Sequence, residues 1–133
     1  MKIKAAVVRE GGDVTLVGVG KTVRVALDAA TALEGEGMSA EVVDLRSIQP
    51  LDEEAILRSL AKTGRLVVVD EAPPRCSIAA DVAALCVDRG FDHLNAPVKR
   101  VTAPHCPVPF SAVLEDAFVP TADRVVDAVR ELV

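Results

Sequence analysis

The sequence predicts an α/β fold with a mainly parallel sheet covered by helices on both faces, and three observations carry that expectation. Short β-branched runs alternate with helical periodicities, turn residues separate most of them, and one run, Arg65-Leu66-Val67-Val68-Val69, is aliphatic at nearly every position. A continuous aliphatic strand belongs inside a parallel sheet, where both of its faces are covered. Strand-helix-strand units close through right-handed crossovers, which place helices on the two sides of the sheet.

The elements follow in order. Ala5–Val8 and Val14–Val19 read as strands divided by a Gly11-Gly12-Asp13 turn. Two readings of the first remain open: an antiparallel edge strand joined by a short turn, or a connector from an upstream segment. Val23, Ala26, Leu27, Ala30 and Leu33 keep the spacing of a helix with one buried stripe, ending near Gly35-Glu36-Gly37. Ala40–Leu45 is a strand. Asp52 then caps a helix that buries Ile56, Leu57 and Leu60 and stops at Gly64. After Arg65–Val69 and the Ala72-Pro73-Pro74 turn, a helix opens at Cys76 or Ser77, turns Ile78, Val82 and Leu85 inward, and closes at Gly90. Val98–Thr102 is the fifth strand. A proline-rich segment leads from it to a final helix, Ala122–Leu132, with Val125, Val126, Val129 and Leu132 inward.

Composition narrows the function classes. The chain has 133 residues, enough for one core, and that core is aliphatic, because three Phe stand with no Trp or Tyr. Twenty acidic residues against 15 basic ones give a net charge of −5, which argues against a nucleic-acid footprint. No apolar run approaches the roughly 18 residues that span a bilayer, and MKIKAAVVREGG lacks the pattern of a signal peptide, so the chain reads as cytoplasmic. Cys76, Cys86 and Cys106 form no C-x-x-C pair and read as free thiols.

Several motifs invite chemistry and are better explained without it. Gly18-Val19-Gly20-Lys21-Thr22 ends like a phosphate-binding loop, but Thr15 stands where the first glycine of that motif is required. Asp44, Asp70 and Glu71 fall at the carboxyl ends of strands, where ligands of open α/β sheets lie. A free-standing ligand- or cation-binding module built on these acids is the alternative function; caps and loop hydrogen bonds are the simpler use of them. The acids resemble the pocket of a response-regulator receiver domain, yet Gly18-Val19-Gly20 and Thr102-Ala103-Pro104 stand where that family needs an acidic pair and a lysine. Cys76 lies at a helix start, which favours a thiolate, and Cys86 shares a helical face with Ala79 and Val82. His105 and Cys106 are neighbours in an extended stretch, so their side chains point apart; Pro104, Pro107 and Pro109 stiffen it into a joint for holding against a partner. His93 reads as a surface residue.

Linked motifs then point to a family. Glu41-Val42-Val43-Asp44-Leu45-Arg46-Ser47-Ile48-Gln49-Pro50-Leu51-Asp52 and Lys62-Thr63-Gly64-Arg65-Leu66-Val67-Val68-Val69-Asp70-Glu71 resemble the C-terminal domain of the transketolase family. Ala96-Pro97-Val98-Lys99-Arg100-Val101-Thr102-Ala103-Pro104, Pro107-Val108-Pro109-Phe110-Ser111 and Leu114-Glu115 resemble, within it, the beta subunits of 2-oxo acid dehydrogenases: pyruvate, branched-chain and acetoin. The resemblance implies a three-layer α/β/α sandwich, its five-stranded, mostly parallel sheet bearing one antiparallel edge strand, with residues 1–12 as linker and edge strand and 13–133 as the domain proper. It implies an excised domain or fragment that alone binds no cofactor, the thiamine diphosphate and Mg2+ of the parent enzyme being held by segments absent here. It implies assembly as the role. The partners would be an alpha subunit, a second beta subunit and the peripheral-subunit-binding domain of the acyltransferase, with self-association of the isolated chain. The residues expected at these contacts are Asp92, Glu131 and Val133, whose acids and terminal carboxylate suit a basic module; Asn95, where relatives are expected to carry an acid; and His105, Pro107 and Pro109 of the joint.

Overall fold

Leu66–Val69 is buried at every position, and its alternate side chains enter two different cores. Val67 and Val69 face one, with Leu16 and Val42; Leu66 and Val68 face the other, with Val17 and Val43. That is the two-sided burial the aliphatic run predicts.

The structure is a computed structural model describing residues 3–133; Met1 and Lys2, inside the expected linker, lie outside the described residues. The elements are β1 (Ala6–Arg9), β2 (Val14–Gly18), α1 (Thr22–Gly35), β3 (Ala40–Asp44), α2 (Glu53–Thr63), β4 (Leu66–Val69), α3 (Ile78–Gly90) continued by a 3-10 turn (Phe91–His93), β5 (Lys99–Val101), α4 (Ala112–Phe118) and α5 (Ala122–Arg130). The sheet order is β1-β3-β2-β4-β5. All pairs are parallel except β1 with β3. Helices α1 and α5 cover one face, with Ala26, Ala29 and Ala30 of α1 in the same core as Val125 and Val129 of α5. Helices α2 and α3 cover the other, through Ile56, Leu60, Val82 and Cys86. The molecule is therefore a three-layer sandwich. Among the described residues no helix is long and apolar enough to cross a membrane.

The caps follow the sequence. The Asp52 carboxylate accepts the Ala55 N–H at 3.2 Å, and Gly64 closes α2 at φ 75°, the left-handed conformation that favours glycine. Ser77, rather than Cys76, caps α3.

Two expectations need correction. The Gly11-Gly12-Asp13 turn does not fold β1 back onto β2; β1 pairs instead with β3, Ala6 opposite Asp44 and Val7 opposite Val43. The edge-strand reading therefore holds without the hairpin. Gly11 makes the crossing possible, because a Cβ there would stand 2.3 Å from the carbonyl carbon of Ala40. Second, α4 interrupts what reads as continuous irregular chain. It buries only Phe118, although Val113, Leu114, Ala117 and Phe118 keep the spacing of an apolar helical stripe.

One buried polar network sits in the α2 layer at the amino end of the sheet. Glu41, nearly enclosed in β3, accepts from Ser59 Oγ at 2.6 Å, Lys62 Nζ at 2.6 Å and the Gly11 N–H at 3.4 Å. Thr15 Oγ1 lies 2.7 Å from Ser59 Oγ and 2.8 Å from Thr63 Oγ1, so strands β2 and β3 are both pinned to α2. Burial pushes the Glu41 carboxyl up, but the hydrogen bonds from Lys62, Ser59 and Gly11 outweigh it and hold the group below its ordinary range. A carboxyl lowered by folding stabilises the protein fully above its unfolded value, and that contribution is lost as the pH falls through the folded one. Glu41→Gln should cost roughly 1–3 kcal/mol near neutral pH, with the gap to the parent closing once the pH is taken below about 4, as urea unfolding at the two pH values will show.

Candidate assembly interface

At the carboxyl ends of the strands, most of the groups that suggested small-molecule chemistry are already engaged. Val19 donates its N–H to Thr22 Oγ1 at 2.9 Å, while the N–H groups of Thr22, Val23 and Arg24 reach the carbonyls of Val19, Gly20 and Lys21. Gly18 is a packing glycine whose added Cβ would lie 2.9 Å from Val23 N. Four amides of this turn, those of Val19, Thr22, Val23 and Arg24, are thus already paired within it. Asp70 is buried and accepts the Ala72 and Ala79 N–H groups at 3.0 and 3.1 Å, tying the end of β4 to the start of α3. Asp44 accepts the Arg46 N–H at 3.0 Å, and Glu71 is exposed. Strand β2 lies between β3 and β4, which separates Asp44 and Asp70 by about 10 Å of sheet. Among the described residues no group of three or more His, Cys, Asp or Glu is placed to hold a metal ion.

The thiols and imidazoles divide similarly. Cys86 is buried in the α2–α3 core, where desolvation pushes its thiol up to about 11, as suits a structural residue. Cys76 and Cys106 are exposed, as are His93 and His105.

The segment after β5 is built differently from the rest. Thr102 and Ala103 are buried, with the Ala103 N–H on the Ala72 carbonyl at 3.2 Å, and burial resumes at Phe118 and Pro120. Between those anchors every residue from Pro104 to Ala117 except Pro109 is exposed. Phe110 is fully exposed, and Val108, Val113 and Leu114 are between 58% and 78% exposed. Burying such side chains is worth roughly 1.5–3 kcal/mol each, so this proline-stiffened arm carries much unused binding energy. Sequence reasoning found its prolines and missed its helix and its apolar side chains.

The expected contact residues occupy two ends of the domain. Asp92, Asn95, Glu131 and Val133 lie at the amino end of β4 and β5: the Asn95 N–H meets the Gly64 carbonyl at 2.8 Å, and Glu131 pairs with Lys99 at 2.9 Å. His105, Pro107 and Pro109 belong to the arm beyond the carboxyl end of β5. Both groups are solvent-facing, Pro109 only partly, and they form two surfaces separated by the length of the strands.

The fold is thus a doubly wound sandwich with one antiparallel edge strand and an exposed arm. The chain belongs to the transketolase C-terminal domain family, whose model matches residues 3–125. It is 60% identical over 97% of its length to the Bacillus subtilis (strain 168) acetoin:2,6-dichlorophenolindophenol oxidoreductase subunit beta, covering 38% of that protein. It is 41% identical to the mitochondrial pyruvate dehydrogenase E1 component subunit beta of Dictyostelium discoideum, with 97% and 36% covered. A solved split gene transketolase, described as an inactive beta4 tetramer, superposes with a TM-score of 0.83 at 32% identity, covering 97% of this chain and 41% of that one. The chain thus spans about two fifths of the length of the proteins it matches.

Asp70→Ala should destabilise the fold by about 1–2 kcal/mol through the two lost amide acceptors, while calorimetry with Mg2+ or Ca2+ shows no heat that depends on Asp70. Micromolar binding abolished by the substitution would restore the ligand-module reading.

Proposed function

We propose that this chain is the C-terminal domain of the beta subunit of a thiamine-diphosphate-dependent 2-oxo acid dehydrogenase acting on pyruvate, a branched-chain 2-oxo acid or acetoin, and that its task is assembly. The observation that carries the reading is the match to dehydrogenase and oxidoreductase beta subunits along nearly the whole chain. The exposed arm supports it, since four bare apolar side chains on a stiff segment suit a contact with a companion subunit.

In this reading residues 1–12 serve as linker and edge strand and 13–133 as the domain proper, in a cytoplasmic enzyme. The arm, with His105, Pro107 and Pro109, meets the alpha subunit or the second beta subunit. The opposite end, with Asp92, Asn95, Glu131 and Val133, receives the peripheral-subunit-binding domain of the acyltransferase, whose basic groups would be drawn to the acids and the terminal carboxylate. Thiamine diphosphate and Mg2+ would be held elsewhere in the parent enzyme, so this domain supplies position and no reacting group.

In the assembled dehydrogenase, replacing Pro107 and Pro109 together with Gly, or Phe110 with Ser, should reduce recovery of the companion alpha subunit at least tenfold in copurification. Cys106→Ser should leave assembly and turnover unchanged. Lost turnover in an intact Cys106→Ser complex would make the arm a reactive site, and decarboxylation by this chain alone would overturn the assembly role.

A further inference from the structure

The two oxygens of the Asp52 carboxylate are divided between distant parts of the chain. Oδ1 accepts the Ala55 N–H at 3.2 Å and caps α2, while Oδ2 accepts the N–H of Ala5 at 3.0 Å, from the residue immediately ahead of β1. One side chain therefore starts a helix and holds an entering strand. Within and after β1 the attachments are many: Ala6 pairs with Asp44 and Val7 with Val43, Arg9 reaches Thr31 and Glu34 at 3.2 and 2.6 Å, and Glu10 accepts from Lys62 at 2.9 Å. Ahead of β1 they are few. Among the described residues no ion pair and no other side-chain hydrogen bond holds residues 3–5, and packing adds little, since Ile3 and Lys4 are exposed and only Ala5 rests on the α2–α3 core. Ile3 and Lys4 instead border a cavity of about 470 Å3 whose other walls include Pro50, Leu51 and Arg58.

We propose that Asp52 is a latch: its second oxygen straps residues 3–5 against the start of α2 and so fixes the line on which the preceding chain meets the domain. The choice of residue is selective. Asp, Asn and Ser cap helices about equally well, but only a carboxylate carries a second acceptor oxygen for another amide. The strap can open without unfolding anything else, because the ladder with β3 begins at Ala6, one residue beyond the latch, and the cavity beside Ile3 and Lys4 leaves no close-packed side chain to withdraw. A single hydrogen bond of this kind shifts such a local equilibrium by roughly three- to tenfold, so the closed form dominates and an open minority persists. Asp52 is in this sense a positioning residue, and its effect on the preceding chain is carried by one amide. The inference rests on, and deepens, the proposed use of residues 1–12 as linker and edge strand: the domain that supplies position sets the direction of the chain entering it.

The test compares Asp52→Ser, Asp52→Asn and Asp52→Ala in the full chain, reading amide hydrogen exchange by NMR together with the thermal midpoint. Asp52→Ser keeps a hydroxyl for the Ala55 N–H and nothing that reaches Ala5, so the Ala5 amide should exchange roughly three- to tenfold faster, with the midpoint and the exchange of the Val43 amide unchanged. Asp52→Asn, which sets an NH2 group toward Ala5, should match it. Asp52→Ala loses both acceptors and should show the same acceleration with a lowered midpoint. An Ala5 amide that exchanges as fast in the parent as in Asp52→Ser would overturn the latch, since no bond would then close in solution. A midpoint lowered as far in Asp52→Ser as in Asp52→Ala would overturn it too, by making the strap part of the cooperative core. These readings need no companion subunit, whereas the assembly role is read from recovery of the alpha subunit, so either can fail alone.

Discussion

Strands β2 and β4 must be covered on both faces, and the architecture follows from that constraint. Val14, Leu16, Val17 and the whole of β4 are sealed from solvent, so a helix layer on one side alone would leave half of each strand wet. Right-handed crossovers then allocate the helices: the step from β2 to β3 and the step from β3 back past β2 to β4 run in opposite directions, which sends α1 and α2 to opposite faces. Helix α3 continues in the direction of α2 and shares its face, and α5 closes the remaining gap beside α1.

Within that aliphatic frame the Glu41 network is the exception, and it is fully paired. The carboxylate, three hydroxyls, an ammonium and a backbone amide satisfy one another, and among the described residues no buried side-chain polar atom lacks a partner. A closed network of this kind fixes register as well as energy, because sliding β3 by one residue would turn Glu41 toward α1 and take the carboxylate acceptor away from Ser59 and Lys62. The same network anchors the crossing from β1, through the Gly11 amide and the Lys62 bridge to Glu10.

The fold was legible because its signals are local and periodic. Aliphatic runs marked the strands, and Asp52, Gly64 and Ser77 marked helix ends through hydrogen-bonding and backbone preferences that work at short range. The partner of β1 was not legible: pairing across the sheet depends on where Gly11 touches Ala40, a contact 29 residues away. Glu41 left a faint trace as an acid inside an apolar strand, with Ser59 and Thr63 one helical turn apart opposite it. Helix α4 did leave a trace, Val113, Leu114, Ala117 and Phe118 at helical spacing, but it is only seven residues long and follows a run of prolines that reads as loop.

The arm between Ala103 and Phe118 stands almost free of the cores, and mutation there is insulated from folding. Substitutions at Val108, Phe110 or Leu114 leave the packed layers undisturbed, whereas a comparable change at Leu16 or Val68 would open a cavity. Chemical change at the arm's surface is therefore decoupled from the integrity of the sandwich, and the two can be altered independently at little thermodynamic risk.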